Sequence, residues 1–384
     1  MNEKIIISDF GLIGEDLELK KNVRITVNRN GIITDLIFDP IEYPIDIMST
    51  RSKELILPGL INSHVHIGDS FAKEKGFNKN LKEVVAPPDG IKHKLLEKTP
   101  VEIKSIGIKK ALEEMIKNGI TCFVDFRERG LEGIELLKKI LGEILINYLI
   151  LGRFKDVGEL SSIYSEADGI GLVTYHLVDD NVLKELKKNK IKHGKIIACH
   201  VAEEKRDGEL FHRIVNEDLV DIIIHGTHLN TTDLEQIKRM SIKLVLCPRC
   251  NGYFGVGFPP IIDILNNDLE ISIGTDNVMA NSLDLFEELR YLYNVIRVLN
   301  PDFKIEAKSL IKMITINAAR NFGLDKNMGS IDQGKMANFF IVDLNDSNLF
   351  VPNLENEEIY SLIMQRVNPR NIKKVYIGGN MVSE

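Results

Sequence analysis

The sequence predicts an α/β protein: a (β/α)8 TIM barrel with a small β-sandwich domain built from both chain termini. Three observations carry this prediction. Eight short, apolar, β-prone runs between residues 57 and 276 alternate with stretches of helical periodicity, which is the pattern of a parallel sheet. A chain of 384 residues has room for a barrel of ordinary size and a second, smaller unit. No Gly-rich phosphate turn follows the first of these strands, as an open doubly wound sheet would normally require.

Taken in order, residues 1–56 carry Lys4-Ile-Ile-Ile-Ser, Val23-Arg-Ile-Thr-Val and Gly31-Ile-Ile-Thr-Asp-Leu-Ile-Phe, parted by turn residues such as Asn28-Arg-Asn-Gly31. The same signal returns at Ala337-Asn-Phe-Phe-Ile-Val-Asp and Lys373-Lys-Val-Tyr-Ile-Gly-Gly-Asn-Met-Val. Residues 1–56 and 336–384 are therefore assigned to the small domain and 57–335 to the barrel. The first barrel strand, in Leu57-Pro-Gly-Leu-Ile-Asn-Ser-His64-Val-His66, ends in two imidazoles that a period of two points to one side. The segment from 67 to 98, rich in Lys, Asn, Gly and Pro and containing Ala86-Pro-Pro-Asp-Gly90, reads as a long lid or binding loop.

Thr99-Pro-Val-Glu102 reads as a capping box opening a helix, with Ile103, Ile106, Leu112, Met115 and Ile116 as its apolar stripe and Gly119 as its stop. Strands follow at Ile120-Thr-Cys-Phe-Val-Asp-Phe, Asn147-Tyr-Leu-Ile-Leu-Gly, Gly169-Ile-Gly-Leu-Val-Thr-Tyr-His176 and Lys195-Ile-Ile-Ala-Cys-His200. Three more come at Asp221-Ile-Ile-Ile-His225, Ile242-Lys-Leu-Val-Leu-Cys247 and Glu270-Ile-Ser-Ile-Gly-Thr-Asp276, with helices between, including 133–144 and 180–189. Thr232-Asp-Leu-Glu235 reads as a second capping box.

Composition excludes several classes of function. A charged fraction of 27% beside 44% hydrophobic residues argues against a disordered chain, and a net charge of -7 leaves no basic stripe for nucleic acid. No apolar run approaches the roughly 20 residues of a spanning helix, and Met1-Asn-Glu-Lys lacks a signal-peptide pattern. The expectation is a cytoplasmic protein with a small-molecule substrate and no membrane partner; homo-oligomerisation is left open. The cysteines at 122, 199, 247 and 250 form no disulfide framework. Cys247-Pro-Arg-Cys250 has no second pair for a zinc ribbon, and it is read as following a strand rather than opening a helix as a redox motif would.

Metal-binding and acidic side chains recur at one end of the strands: His64 and His66 on the first, His200 on the fifth, His225 on the sixth and Asp276 on the eighth. In a barrel those ends converge on one face, where the chemistry is done. His93, His176, His193 and His212 are read as hydrogen-bonded packing residues rather than ligands. Three imidazoles and a carboxylate make an N/O set suited to Zn(II) or Fe(II), leaving a position for water, whose pKa such an ion lowers toward roughly 7. Asp276 is placed to take a proton from that water and His225 to orient it. Glu203, in His200-Val-Ala-Glu203, is read as lying one helical turn beyond a ligand, where it can protonate a ring nitrogen or a leaving group.

The set His64-Val-His66, His200-Val-Ala-Glu203, His225-Gly-Thr-His228, Cys247-Pro-Arg-Cys-Asn251 and Gly274-Thr-Asp276, followed by Asn281-Ser-Leu-Asp-Leu-Phe286, resembles the metal-dependent amidohydrolase superfamily. Within it the chain is most similar to the branch of adenosine, cytosine, guanine and S-adenosylhomocysteine deaminases and triazine chlorohydrolases. The tail Gly329-Ser-Ile-Asp-Gln-Gly-Lys-Met-Ala-Asn-Phe-Phe-Ile-Val-Asp343 is similar to the segment by which those enzymes return to their small β-domain. The resemblance implies His64, His66, His200 and Asp276 as metal ligands, Glu203 as proton shuttle and His225 beside the metal water. No lysine ends the fourth strand, where binuclear relatives place a carboxylated one, so the resemblance implies one divalent metal, Zn(II) first and Fe(II) second.

The function implied is hydrolytic deamination of an amino-substituted heterocycle, nucleobase-like or nucleoside-like. The alternatives are hydrolysis of a cyclic or exocyclic amide and a catalytically silent assembly barrel; the latter class usually loses ligands that are all present here. Two departures leave the substrate open: Cys250 stands where nucleobase enzymes commonly have serine, and a Lys- and Pro-rich loop stands where many have an Arg-containing helical segment. Arg127, Glu128 and Arg129, after the second strand, are read either as substrate-reaching side chains or as a solvated charge cluster.

Overall fold

The structure, a computed structural model, describes residues 3–41, 45–46, 53–86 and 88–384. Pro87, in the predicted loop tip, and residues 47–52 near the end of the 1–56 segment lie outside the described residues.

The barrel strands are Leu60–His66, Ile120–Arg127, Asn147–Gly152, Gly169–Leu172, Ile196–Val201, Ile222–His225, Lys243–Leu246 and an eighth in two pieces, Ile271–Ile273 and Asp276–Asn277. Each pairs in parallel with its sequence neighbour. The interruption in the eighth closes the barrel. Its first piece pairs with the seventh strand, and its second piece pairs with the first strand through Asp276 opposite Val65. Every residue of Leu60–His66 and Ile120–Arg127 is buried, because such strands face the barrel interior on one side and the helical layer on the other.

The expected sandwich takes the form of one seven-stranded mixed sheet. In spatial order it runs Asn380–Ser383, Ile372–Ile377, Phe339–Asp343, Glu54–Pro58, Lys4–Ile13, Glu18–Val27 and Ile33–Asp39. Both faces of its centre are apolar. Leu55, Leu57, Phe340 and Val342 pack into the barrel-side core, whereas the alternate residues Ile56, Phe339 and Ile341 join a separate cluster with Val23, Ile25 and Val27. Glu54–Pro58 belongs to this sheet and Leu60–His66 to the barrel, so we propose Gly59 as the junction on the amino-terminal side.

Several local expectations are corrected. The helix Val101–Lys117 has Pro100 at its N-cap with no side-chain cap, and Thr99 instead ends the preceding helix, Ile91–Lys98. Ile103 and Ile106 are exposed, and Lys104 takes the inward position, donating to the Leu96 carbonyl at 3.1 Å. The second capping box is real but begins two residues earlier, with Asn230 as cap and Asp233 as its reciprocal acid, because Asn serves an N-cap as well as Thr does. The fourth strand ends at Leu172, and Tyr175–Leu177 is a 3-10 turn. The 67–98 segment is no bare loop: it holds the 3-10 helix Ile67–Ala72 and the helices Leu81–Val85 and Ile91–Lys98. Cys247-Pro-Arg-Cys250 does open a helix, Pro248–Phe254, with proline at the start, where its missing N–H costs nothing. Burial pushes both thiols well above 9, so this pair supplies no reactive thiolate despite its position.

Candidate metal centre and active site

The strand ends bring His64, His66, His200, His225 and Asp276 together at one mouth of the barrel. Ligand atoms of His64, His66 and His200 lie within 4.8 Å of one another, as do those of His64, His225 and Asp276. Asp276 Oδ1 is 3.3 Å from His64 Nε2 and 3.4 Å from His66 Nε2, and Oδ2 is 4.0 Å from His225 Nε2. His225 and Asp276 have φ of 73° and 59°, a left-handed backbone that costs energy in non-glycine residues and often marks functional positions. Gly274 makes room for this turn: a Cβ there would lie 2.6 Å from the backbone of His64.

The tautomers follow from hydrogen bonding. Nδ1 of His66 lies 3.1 Å from the Phe126 carbonyl, and Nδ1 of His200 lies 2.9 Å from the Leu172 carbonyl. Carbonyls only accept, so each Nδ1 carries the proton and each Nε2 presents a lone pair to the centre. His225 Nδ1 likewise donates to Asn251 Oδ1 at 3.0 Å, and the Asn251 amide is oriented by donating to Thr227 Oγ1 at 3.0 Å. Both ring nitrogens of His64, Nε2 of His225 and Oδ2 of Asp276 are buried without a hydrogen-bond partner. Such orphaned groups are rare in a folded interior, and converging in this way they fit a divalent cation.

The electrostatics agree. Burial lowers His64 to about 4 and His66 to about 3, and it holds His200 well below 6.5, so all three are neutral at pH 7 as ligands must be. Burial opposes the charge on Asp276, but the imidazoles around it, His64 first, outweigh that and keep its carboxyl well below 3.8. Glu203 shifts the other way, raised above 4.5 chiefly by desolvation. It stands 3.5 Å from His225 Nε2 and is 20% exposed. It lies not one helical turn beyond His200 but in a bend after the left-handed Ala202 (φ 52°), ahead of the helix Gly208–Glu217.

A cavity beside the imidazoles is lined by His66, His200, Glu203, His225 and Asp276, with Val85, Lys92, Arg153, Val173 and Asn277 completing its wall. Val85 and Lys92 come from the 67–98 segment. Of the charged trio after the second strand, Arg127 and Glu128 are buried, which excludes a solvated cluster for them, and Arg129 pairs with Glu132 at the surface. His176 and His212 are exposed, His93 bonds the Val85 carbonyl, His193 stacks on Tyr164 and His228 bonds the Val256 carbonyl; none reaches the centre. Sequence reasoning missed Lys92, Arg153 and Asn277. Arg153 follows the third strand directly, so the strand-end rule that found the histidines would also have marked it.

Residues 55–382 match the amidohydrolase family model. The chain belongs to the amidohydrolase family and is a hydrolase of carbon–nitrogen bonds other than peptide bonds. It is 36% identical over 363 residues to an uncharacterized protein of Methanocaldococcus jannaschii, covering 89% of this chain and 91% of that protein. It is 25% identical over 415 residues to the 5-methylthioadenosine/S-adenosylhomocysteine deaminase of Thermoanaerobacter pseudethanolicus, covering 99% and 94%. The crystal structure of an adenosine deaminase from Xanthomonas campestris with bound zinc superposes with a TM-score of 0.81 at 18% identity, covering 98% of this chain and 92% of that one, and so shares the fold. No helix among the described residues is long and apolar enough to cross a membrane.

Proposed function

We propose that this protein hydrolytically deaminates an amino-substituted heterocycle, nucleobase-like or nucleoside-like, at a single divalent metal. His64, His66, His200 and Asp276 would hold the ion, Zn(II) before Fe(II), since neutral imidazoles with one carboxylate form a borderline N/O donor set. When bound, the ion supplies Lewis acidity that makes water nucleophilic at neutral pH. The remaining work falls to the chain's own side chains. Asp276, ionised, accepts a proton from the attacking water at Oδ2. His225, with Nδ1–H committed to Asn251, offers Nε2 as the acceptor that orients that water. Glu203 reaches the same cavity with a carboxyl that burial inclines to the protonated form, and it delivers that proton to a ring nitrogen as the ring carbon is attacked. Without this delivery, negative charge would accumulate on the ring nitrogen as the attacked carbon turns tetrahedral; Asp276 then passes its proton to the amine, which leaves as ammonia while the new hydroxyl becomes a carbonyl and returns its proton to Glu203.

One observation carries the reading: buried atoms of His64, His225 and Asp276 that lack a hydrogen-bond partner converge with His66 and His200, and the Glu203 carboxyl stands 3.5 Å from His225. The names of relatives such as the 5-methylthioadenosine/S-adenosylhomocysteine deaminase support it. The test is release of ammonia by zinc-loaded protein against a panel of aminopurine bases and nucleosides, aminopyrimidines, pterins and amides. The expected result is ammonia with a carbonyl gained by one ring compound. Turnover confined to amides, without ammonia from any ring, overturns the reading.

A further inference from the structure

Lys92 is a lysine buried to 2% exposure beside a metal centre, and nothing in the chemistry above uses it. It sits on the helix Ile91–Lys98 of the 67–98 segment and reaches inward to three acceptors: Glu128 Oε1 at 2.6 Å, Asn277 Oδ1 at 2.9 Å and Asp69 Oδ2 at 3.3 Å. The ammonium donates to Asn277 and is ion-paired with the two carboxylates, so its charge is committed to the protein. Its partners lead to the centre from two sides. Glu128 Oε1 also lies 2.9 Å from Nδ1 of His66, on the first strand. Asn277 donates from Nδ2 to Asp276 Oδ1 at 2.9 Å, on the eighth. Asp69, in the same segment as Lys92, accepts at Oδ1 from the Met279 N–H at 3.0 Å.

We propose that Lys92 is a positioning residue that couples the 67–98 segment to the metal centre, holding Glu128 against His66 and Asn277 against Asp276 so that metal binding and seating of the segment favour each other. The inference rests on the single-metal reading above. A carboxylate against the distal nitrogen of a ligating histidine raises that ligand's basicity and fixes its ring, and losing such outer contacts typically weakens metal binding by about 10–100-fold. Lys92, 2.6 Å from Glu128 Oε1 in a dry setting, holds that carboxylate in place. Coupling of this kind is reciprocal: whatever metal affinity the seated segment adds, bound metal must return as stability of the segment.

The experiment measures zinc affinity by competition with a chromophoric chelator, and hydrogen exchange of peptides spanning 81–98 with and without zinc, in the parent protein and in Lys92→Met. The parent should bind one zinc and exchange these amides at least about tenfold more slowly when loaded. Lys92→Met should bind zinc about 10–100-fold more weakly, with exchange of the segment no longer responding to zinc and barrel-strand amides unchanged. Should Lys92→Met fail to fold, Glu128→Gln carries the same test, since it keeps the side-chain shape and removes the charge. Parent-like zinc affinity in the variant, or segment exchange in the parent that ignores zinc, overturns the coupling while leaving the metal site intact. A parent protein that binds no zinc fails the single-metal reading itself, and the coupling with it.

Discussion

Replacing Glu203 by glutamine isolates the proton-delivery step. The glutamine is nearly isosteric, so the contact with His225 Nε2 at 3.5 Å and the bend after Ala202 have no steric reason to move. What disappears is a transferable proton. The parent carboxyl is held above its usual 4.5 by desolvation, which favours the acid form that must protonate the ring. Positioned acid catalysis is worth about 10²–10⁴ in rate, or about 3–5 kcal/mol of barrier, and the whole of it should be lost because no other protonatable carboxyl lines the cavity once Asp276 is ionised. Ammonia release by stopped assay gives kcat and KM, and elemental analysis gives metal content on the same preparation. The expected outcome is a fall in kcat with metal unchanged, since Glu203 is not among the four donors. Turnover within about tenfold of the parent, with metal retained, would refute the role. Loss of metal instead would make Glu203 a ligand.

Three further outcomes are expected. Gly274→Ala removes no ligand, but its methyl would sit 2.6 Å from the backbone and Cβ of His64; it should cost about 1–3 kcal/mol of stability and lower zinc occupancy, and full occupancy at an unchanged melting temperature would contradict the close approach. The Arg153 guanidinium lines the cavity, its Nε is buried without a partner and none of the described carboxylates pairs with it, so Arg153→Met should raise KM by about 10–100-fold at constant metal content; an unaltered KM would mean that it does not meet the substrate. Glu288 is raised to about 8 by burial, so folding favours its protonated form, and that contribution to stability is lost as pH rises from 4.5 through about 8. Glu288→Gln has no proton to lose, and its melting temperature should fall less than the parent's between pH 5 and 9; parallel profiles would show the carboxyl to be ionised throughout.

The barrel was legible because buried parallel strands have no polar face, so runs such as Ile120–Arg127 stand out from the amphipathic helices between them. The donor set was legible for a topological reason: strands of a closed barrel end on one face, so His64, His66, His200, His225 and Asp276 had to converge even though they are spread over more than two hundred residues. Conformation at the site was not legible. The left-handed turns at His225 and Asp276 are imposed by the surrounding packing, and nothing local to a histidine or an aspartate announces them. The two helices of the 67–98 segment were hidden by their shortness: Leu81–Val85 has five residues, too few to display helical periodicity. Nothing local marks Lys92 within its Lys-rich segment, because its partners Glu128 and Asn277 lie far away in sequence and Asp69 lies 23 residues before it.

The most direct test of the single-metal centre is metal stoichiometry by elemental analysis, in the parent and in His64→Ala, with X-ray absorption at the zinc edge to read the donors. His64 is the best choice because neither of its buried ring nitrogens makes a hydrogen bond. The account predicts about one zinc per parent chain in an imidazole-rich N/O shell without sulfur, and an empty site in His64→Ala. Sulfur in the shell, two metals per chain, or full occupancy after His64→Ala would contradict it.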